Sequence, residues 1–291
     1  MSATKDSRDG TLRVPGASLY YRVRGAGPVL LVLQGGDGDA EGFDAVADQL
    51  VDHYTVVTYD RRGLSRSTLD DLADGLCLET HSDDAHRLLA ALTNGPAYVV
   101  GCSIGALIGL DLAARHADQV RALVAHEPPA PGLLPDAERA RTVRAQEDVE
   151  ETYRREGVAA AMQKFAALAG MAFDDWEPDV ERPRPTAHRA ANLAFFLAHD
   201  AAAVRRYRLD IAALQAAATQ IVPAAGRASR EVWTHRCAAA LADRLGTELV
   251  EFPGGHAGFV SHPRGFAARL REVLGGYPGR GSRVGGEAPR G

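Results

Sequence analysis

Residues Gly101-Cys102-Ser103-Ile104-Gly105 carry the pattern G-x-S-x-G. The strand-like run AYVV precedes the pattern, and a small-residue helical stretch, ALIGLDLAARH, follows it. A serine on so tight a strand-to-helix turn sits in strained backbone with its hydroxyl raised above the sheet edge, and flanking glycines remove side chains that would collide across the turn. The bare pattern also fits a glycine-rich turn with a capping serine, but the strand before and the helix after favour a nucleophile. A serine hydroxyl needs a positioned base to take its proton. Of the ten histidines, His256 follows a strand and lies in the glycine-flanked loop FPGGHAG. His53, His81, His86, His116 and His235 lie on helices or in polar segments, and His262 precedes Pro263 at a helix start. His256 is the candidate base, with His262 as its neighbouring rival.

These residues need a scaffold. Thr11–Val14 and Leu19–Val23 read as short strands, and PVLLVLQ (residues 28–34) as a strand buried on both faces. Further strands are expected at Tyr54–Tyr59, Ala97–Val100, Val120–His126, Gln220–Pro223 and Glu248–Phe252. Helices are expected over Ala40–Val51, Thr80–Thr93, the stretch after Ser103, Arg230–Leu245 and Pro263–Leu274. Strands alternating with helices of this length imply βαβ units and a mostly parallel sheet. Residues 134–218 break the rhythm: they are rich in Ala, Arg and Glu, show no convincing strand, and read as a helical insertion. The Gly/Pro/Arg-rich tail, residues 276–291, has the composition of a disordered segment.

Composition narrows the function. The 291 residues are 46% hydrophobic and carry a formal net charge of −5, with no basic stripe interleaved with aromatics, so no nucleic-acid partner is expected. The first ten residues lack an apolar h-region, and no run of about 18 apolar residues exists, so neither a signal peptide nor a membrane span is expected. Three scattered cysteines, Cys77, Cys102 and Cys237, fit a reduced cytoplasmic protein and hold no metal spacing. His126-Glu127 is not a zinc motif, because H-E-x-x-H would need histidine where Ala130 stands. The loop Gln34-Gly35-Gly36-Asp37-Gly38 lacks the G-K-[ST] ending of a phosphate cradle.

The G-x-S-x-G turn, the loop DRRGLSRS (60–67) and the loop FPGGHAGFVSHP (252–263) together resemble the α/β-hydrolase superfamily over about residues 10–275. DRRGLSRS is similar to that family's D-x-R-G-x-G-x-S loop, with Ser65 where glycine is usual. The resemblance implies a mostly parallel eight-stranded sheet with helices on both faces, a core made of residues 1–133 and 219–275, and a helical cap at 134–218. It also implies His256 as the catalytic histidine. The Gln34–Gly38 loop resembles the family's His-Gly-x loop with glutamine for histidine, which makes Gly36 and Ile104 the expected oxyanion donors. Asp60 and Arg61 are expected to brace their loop as an ion pair.

The triad acid is the open position. The family commonly keeps an aspartate in a G-x-x-D-like loop, but here that loop reads Ala225-Gly226-Arg227-Ala228-Ser229-Arg230. Some relatives, certain haloalkane dehalogenases among them, carry the acid after strand six, where RALVAHEPP places Glu127. Pro128 and Pro129 end that strand, and Pro128 is expected to hold Glu127 extended. Glu127 is favoured over Glu231, which falls in the next helix. Alternatively, Glu127 pairs with an arginine or caps a helix.

The expectation is a cofactor-free, metal-free serine hydrolase. It would open an ester, lactone or thioester of a small to medium apolar metabolite through an acyl-enzyme. Gln34, Met162, Phe165, Trp176, Phe195 and Phe196 are the candidate pocket residues, with Met171 and Phe173 nearby in sequence. The bland alternative for most of them is packing of cap on sheet. The same machinery in the superfamily also serves C–C bond hydrolysis, acyl transfer, decarboxylation, cyclisation and cofactor-free oxygen chemistry. A ligand receptor or inactive scaffold is the reading from another class.

Overall fold

The computed structural model describes residues 7–71, 76–171 and 175–277. Phe173 and most of the 276–291 tail lie outside the described residues.

One sheet organises the chain. Its strands are β1 (Ser7–Val14), β2 (Ala17–Arg24), β3 (Val29–Leu33), β4 (Thr55–Tyr59), β5 (Thr68–Leu69), β6 (Ala97–Cys102), β7 (Val120–His126), β8 (Gln220–Gly226) and β9 (Val250–Phe252). The order is β1-β2-β4-β3-β6-β7-β8-β9, with β5 pairing β2 off this path. The eight strands on the path are those expected; the two-residue β5 is the addition. Pairing is parallel from β4 to β9 and antiparallel around β2.

β3, β6 and β7 are apolar almost throughout because both faces are covered. Leu19, Leu31, Val57, Val99 and Leu123 pack on one face beneath the helices Leu78–Leu92 and Ile104–Arg115. Leu30, Val56, Val100, Val124 and Phe252 pack on the other, against Phe43 and the helix Pro263–Gly275.

The chain runs from β3 out to β4 and returns to β6 on the other side of β3. The crevice beyond the C-terminal ends of β3 and β6 is therefore a topological switch point, where such sheets place their ligands. Register does the rest. Leu33 lies opposite Gly101, Cys102 opposite His126, and His126 opposite Ala224. The residues that follow, Gln34, Ser103, Glu127 and the loop after Ala224, thus emerge side by side at one edge.

Between β7 and β8 the regular elements among the described residues are helices and helical turns. They include Asp136–Glu156, Val158–Leu168, Arg189–Phe195, Ala201–Arg206 and Ile211–Ala216, with a π turn at Phe196–Asp200. Ala40–Val51 does not form the expected long helix. A 3₁₀ turn, Ala40–Phe43, is followed by a single helical turn, Asp44–Ala47. Asp39 caps Glu41 N–H and Asp60 accepts from Ala40 N–H, which ties the start of this segment to its neighbours. Gly42 inside it weakens any longer helix.

A Cβ built on Gly105 would strike the backbone carbonyl of Leu33, and one on Gly101 would strike that of Gly105. Neither obstacle is a flexible side chain. Gly105→Ala is expected to destabilise the fold by about 3 kcal/mol or more, the upper range for overpacking a rigid site; urea denaturation of the purified variant measures it.

Candidate active site

Ser103 has φ +56° and ψ −123°, a conformation that costs a non-glycine residue about 1–3 kcal/mol. The strain is held by its surroundings. Ser103 N–H donates to His126 O at 2.9 Å, and Gly101 and Gly105 allow the backbone to close tightly on either side. The helix starts at Ile104, so the Ile104 N–H is one of the first-turn donors that no carbonyl within the helix can satisfy.

Glu127 is fully buried, and its two carboxylate oxygens collect four donors. Gly226 N–H (2.9 Å) and the Ser229 hydroxyl reach Oε1; the Thr234 hydroxyl (2.7 Å) and His256 Nδ1 (2.7 Å) reach Oε2. Facing a carboxylate, Nδ1 is the protonated ring nitrogen, which leaves Nε2 as the acceptor. Burial pushes the Glu127 carboxyl up. The hydrogen bond and charge of His256, with His126 and the Ser229 hydroxyl, outweigh burial and hold it well below the usual carboxylate range.

Glu127 is not extended as expected: its φ is +48°. Its N–H bonds Ala224 O at 2.8 Å while its side chain is gripped by β8, the following loop and the helix Trp233–Leu245. Those tertiary bonds set the backbone, and the preference imposed by Pro128 only removes the right-handed alternative. Ser229 now occupies the last position of the G-x-x-D-like loop and donates to the glutamate. Glu231 is exposed. His262 bonds Ser261 Oγ at 2.9 Å and faces Asp175 at 3.5 Å, away from this cluster.

Ser103, Ile104 and His256 line one cavity. Its other walls include Pro129, Val149, Phe165, Leu168, Phe196, Val204, Trp233 and Thr234. Phe165 and Phe196 are thus where expected. Met162 instead packs against Val149, Ala161 and Phe196 inside the helical segment. Phe195 sits over Gly63 and the His199 ring, and Trp176 lies under the Arg182 guanidinium. Gln34 is buried beside Gly42 and does not line the cavity. Consecutive helical residues are turned about 100° apart, so Phe196 can face the cavity while Phe195 faces Gly63.

The ion pair expected between Asp60 and Arg61 does not form. Asp60 takes Arg66 (2.7 Å) and the N–H groups of Ala40 and Arg66. Arg61, 1% exposed, pairs with the buried Asp200 at 2.9 Å, and His81 Nε2 approaches the same carboxylate at 3.1 Å. Arg61 also donates to the carbonyls of Gln34, Gly35 and Gly36. No peptide bond among the described residues is cis, so turning the Gly35 carbonyl toward Arg61 turns the Gly36 N–H away from it. Gly36 itself is not a cavity wall; a Cβ there would stand 3.2 Å from the Phe196 ring. Ser65, at the motif's usual glycine, keeps a glycine-like φ of +48° and uses its hydroxyl to bond Asp39 and Asn192.

Trp233, Thr234, Ser229, Gln146 and Glu150 escaped the sequence reading. Their signal is spatial: each reaches the site from a helix or loop whose docking angle no local pattern encodes. Among the described residues no group of His, Cys, Asp and Glu could hold a metal ion, and no helix is long and apolar enough to cross a membrane.

A family model for the alpha/beta hydrolase fold matches residues 28–263, and the chain belongs to that family. It is 44% identical over 271 residues to an uncharacterized hydrolase, YraK, of Bacillus subtilis (strain 168), covering 91% of this chain and 96% of the relative. A thermophilic esterase from Thermogutta terrifontis superposes with a TM-score of 0.71 at 19% identity, over 93% of this chain and 99% of that one. The enol-lactonase of Burkholderia xenovorans superposes with a TM-score of 0.67 at 20% identity, over 91% and 100%.

Burial pushes the Asp200 carboxyl up, but His81 and Arg61 outweigh it and bring it down to about 2 from the ordinary 3.8. A carboxyl lowered on folding stabilises above its unfolded value and loses that contribution as pH falls through its folded value. Asp200→Asn is expected to cost about 3–5 kcal/mol at neutral pH by leaving buried Arg61 unpaired. Urea midpoints of wild type and variant should differ fully above pH 4 or so and converge as pH falls toward about 2.

Proposed function

We propose that the protein is a serine hydrolase that opens an ester, lactone or thioester through an acyl-enzyme. The observation that carries this reading is the 2.7 Å bond from His256 Nδ1 to the buried Glu127 carboxylate, with His256 and Ser103 walls of one cavity.

Ser103 Oγ attacks the acyl carbonyl while His256 Nε2 takes its proton. Glu127 holds the imidazole in the Nδ1–H tautomer and stabilises the imidazolium that forms. The Ile104 N–H stabilises the oxyanion; Gly36, the expected second donor, is not a wall of this cavity and is given no part in the step. The carbon–oxygen or carbon–sulfur bond to the leaving group then breaks, and His256 returns the proton to that group. Water, deprotonated by His256, attacks the acyl-enzyme, and Ser103 regains its proton as the acid departs. Helices of the 134–218 segment act as a cap over the serine, with Val149, Phe165 and Phe196 giving the acyl chain an apolar wall.

A fluorophosphonate probe is expected to label wild type and to leave Ser103→Ala unlabelled; a folded wild type that resists labelling would overturn the reading. Glu127→Gln should lower turnover of an activated ester by roughly a hundredfold or more, because glutamine cannot stabilise the imidazolium. Glu231→Gln should stay near wild type. The reverse pattern would move the acid to Glu231.

A further inference from the structure

The cavity is not uniformly apolar. Trp233, 7% exposed, is one of its walls, and its indole N–H is buried with no acceptor among the described residues. Gln146 is another wall, and its Oε1 is buried with no donor among the described residues. Glu150, one helical turn further along, also reaches the cavity. Its carboxylate is already occupied by Arg205, at 2.8 and 2.9 Å, and is not available to a ligand. Buried polar groups in folded proteins are nearly always paired, and an unpaired one carries its desolvation cost without return. Here one donor and one acceptor are left unpaired on the walls of the same cavity as Ser103.

We propose that Trp233 and Gln146 form a polar subsite for an acyl chain that carries its own hydrogen-bond acceptor and donor, a secondary amide being the simplest such group. Trp233 Nε1–H donates to the chain's carbonyl oxygen, and Gln146 Oε1 accepts from its N–H. The aliphatic part between this group and the scissile carbonyl lies along Val149 and Phe165. The subsite rests on Ser103 and His256 being the reacting pair and narrows the substrate from a plain apolar acyl group to one with an embedded polar link. A site that hydrogen-bonds a buried substrate group rejects the analogue lacking it, because its own polar atoms are then left unsatisfied.

The test compares the p-nitrophenyl esters of γ-acetamidobutyrate and of its hydrocarbon isostere, isooctanoate, in which CH₂ and CH(CH₃) replace N–H and C=O. Wild type is expected to favour the amide ester in kcat/KM by about tenfold or more. Trp233→Phe keeps the ring and removes the N–H; Gln146→Leu removes the acceptor from a half-buried position. Each should cut the amide-to-hydrocarbon ratio at least threefold. Equal or better turnover of the hydrocarbon ester by wild type, or a ratio that neither variant moves, would overturn the subsite. Should Trp233→Phe fail to fold, the Gln146→Leu ratio decides. A separate arm needs no turnover. Calorimetric titration of Ser103→Ala should give tighter binding of γ-acetamidobutyrate than of isooctanoate, and equal or weaker binding would overturn the proposal. Failure of fluorophosphonate labelling with that binding preference intact would strike the hydrolase reading and leave the polar subsite standing.

Discussion

The site depends on keeping the Glu127 carboxylate ionised in the protein interior. A lone buried carboxylate would protonate or unfold its surroundings. Four donors prevent this, and they come from separate places: the end of β8, the loop behind it, the first turn of the helix Trp233–Leu245, and the loop carrying His256. Each of those elements must dock correctly for the charge to be tolerable. The same bonds that stabilise the anion therefore fix the imidazole, so the orientation of the His256 ring is tied to the stability of the fold.

A second buried charge plays the matching part on the other side of Ser103. Arg61 grips three successive carbonyls of the loop after β3 and turns to Asp200 in the helical segment. Asp200 in turn meets His81 on the helix Leu78–Leu92. Asn192 adds a parallel tie, reaching Ser65 and the Asp37 carbonyl. The glycine loop and the helices above it are thus locked together through fully buried polar groups, where geometry is enforced because any unpaired member is costly.

Of the four described non-glycine residues with positive φ, two stand at the site these networks hold. Ser103 and Glu127 both carry positive φ, and each opens the segment after a parallel strand whose neighbour is already paired. Packing behind them, with glycine at 101 and 105, offsets the local cost. Ser103 and Glu127, both used by the proposed mechanism, share this backbone device.

Much was legible in the sequence, for physical reasons. Apolar runs bounded by turns identify buried parallel strands, so the eight main strands and the helical insertion followed from pattern alone. Glycines flanking a serine between a strand and a helix mark a tight turn, so Ser103 and Ile104 stood out as candidates as well. His256 and Glu127 were legible as candidates, the latter through the missing aspartate in GRASRE. Tertiary structure decided what those patterns leave free. It chose Asp200 rather than Asp60 for Arg61, turned Phe196 inward and Phe195 away, gave Glu127 a left-handed backbone, and brought Trp233 and Gln146 to the serine's cavity. Such choices turn on which distant groups meet once the sheet has closed, and one-dimensional spacing does not encode the angle at which a helix docks.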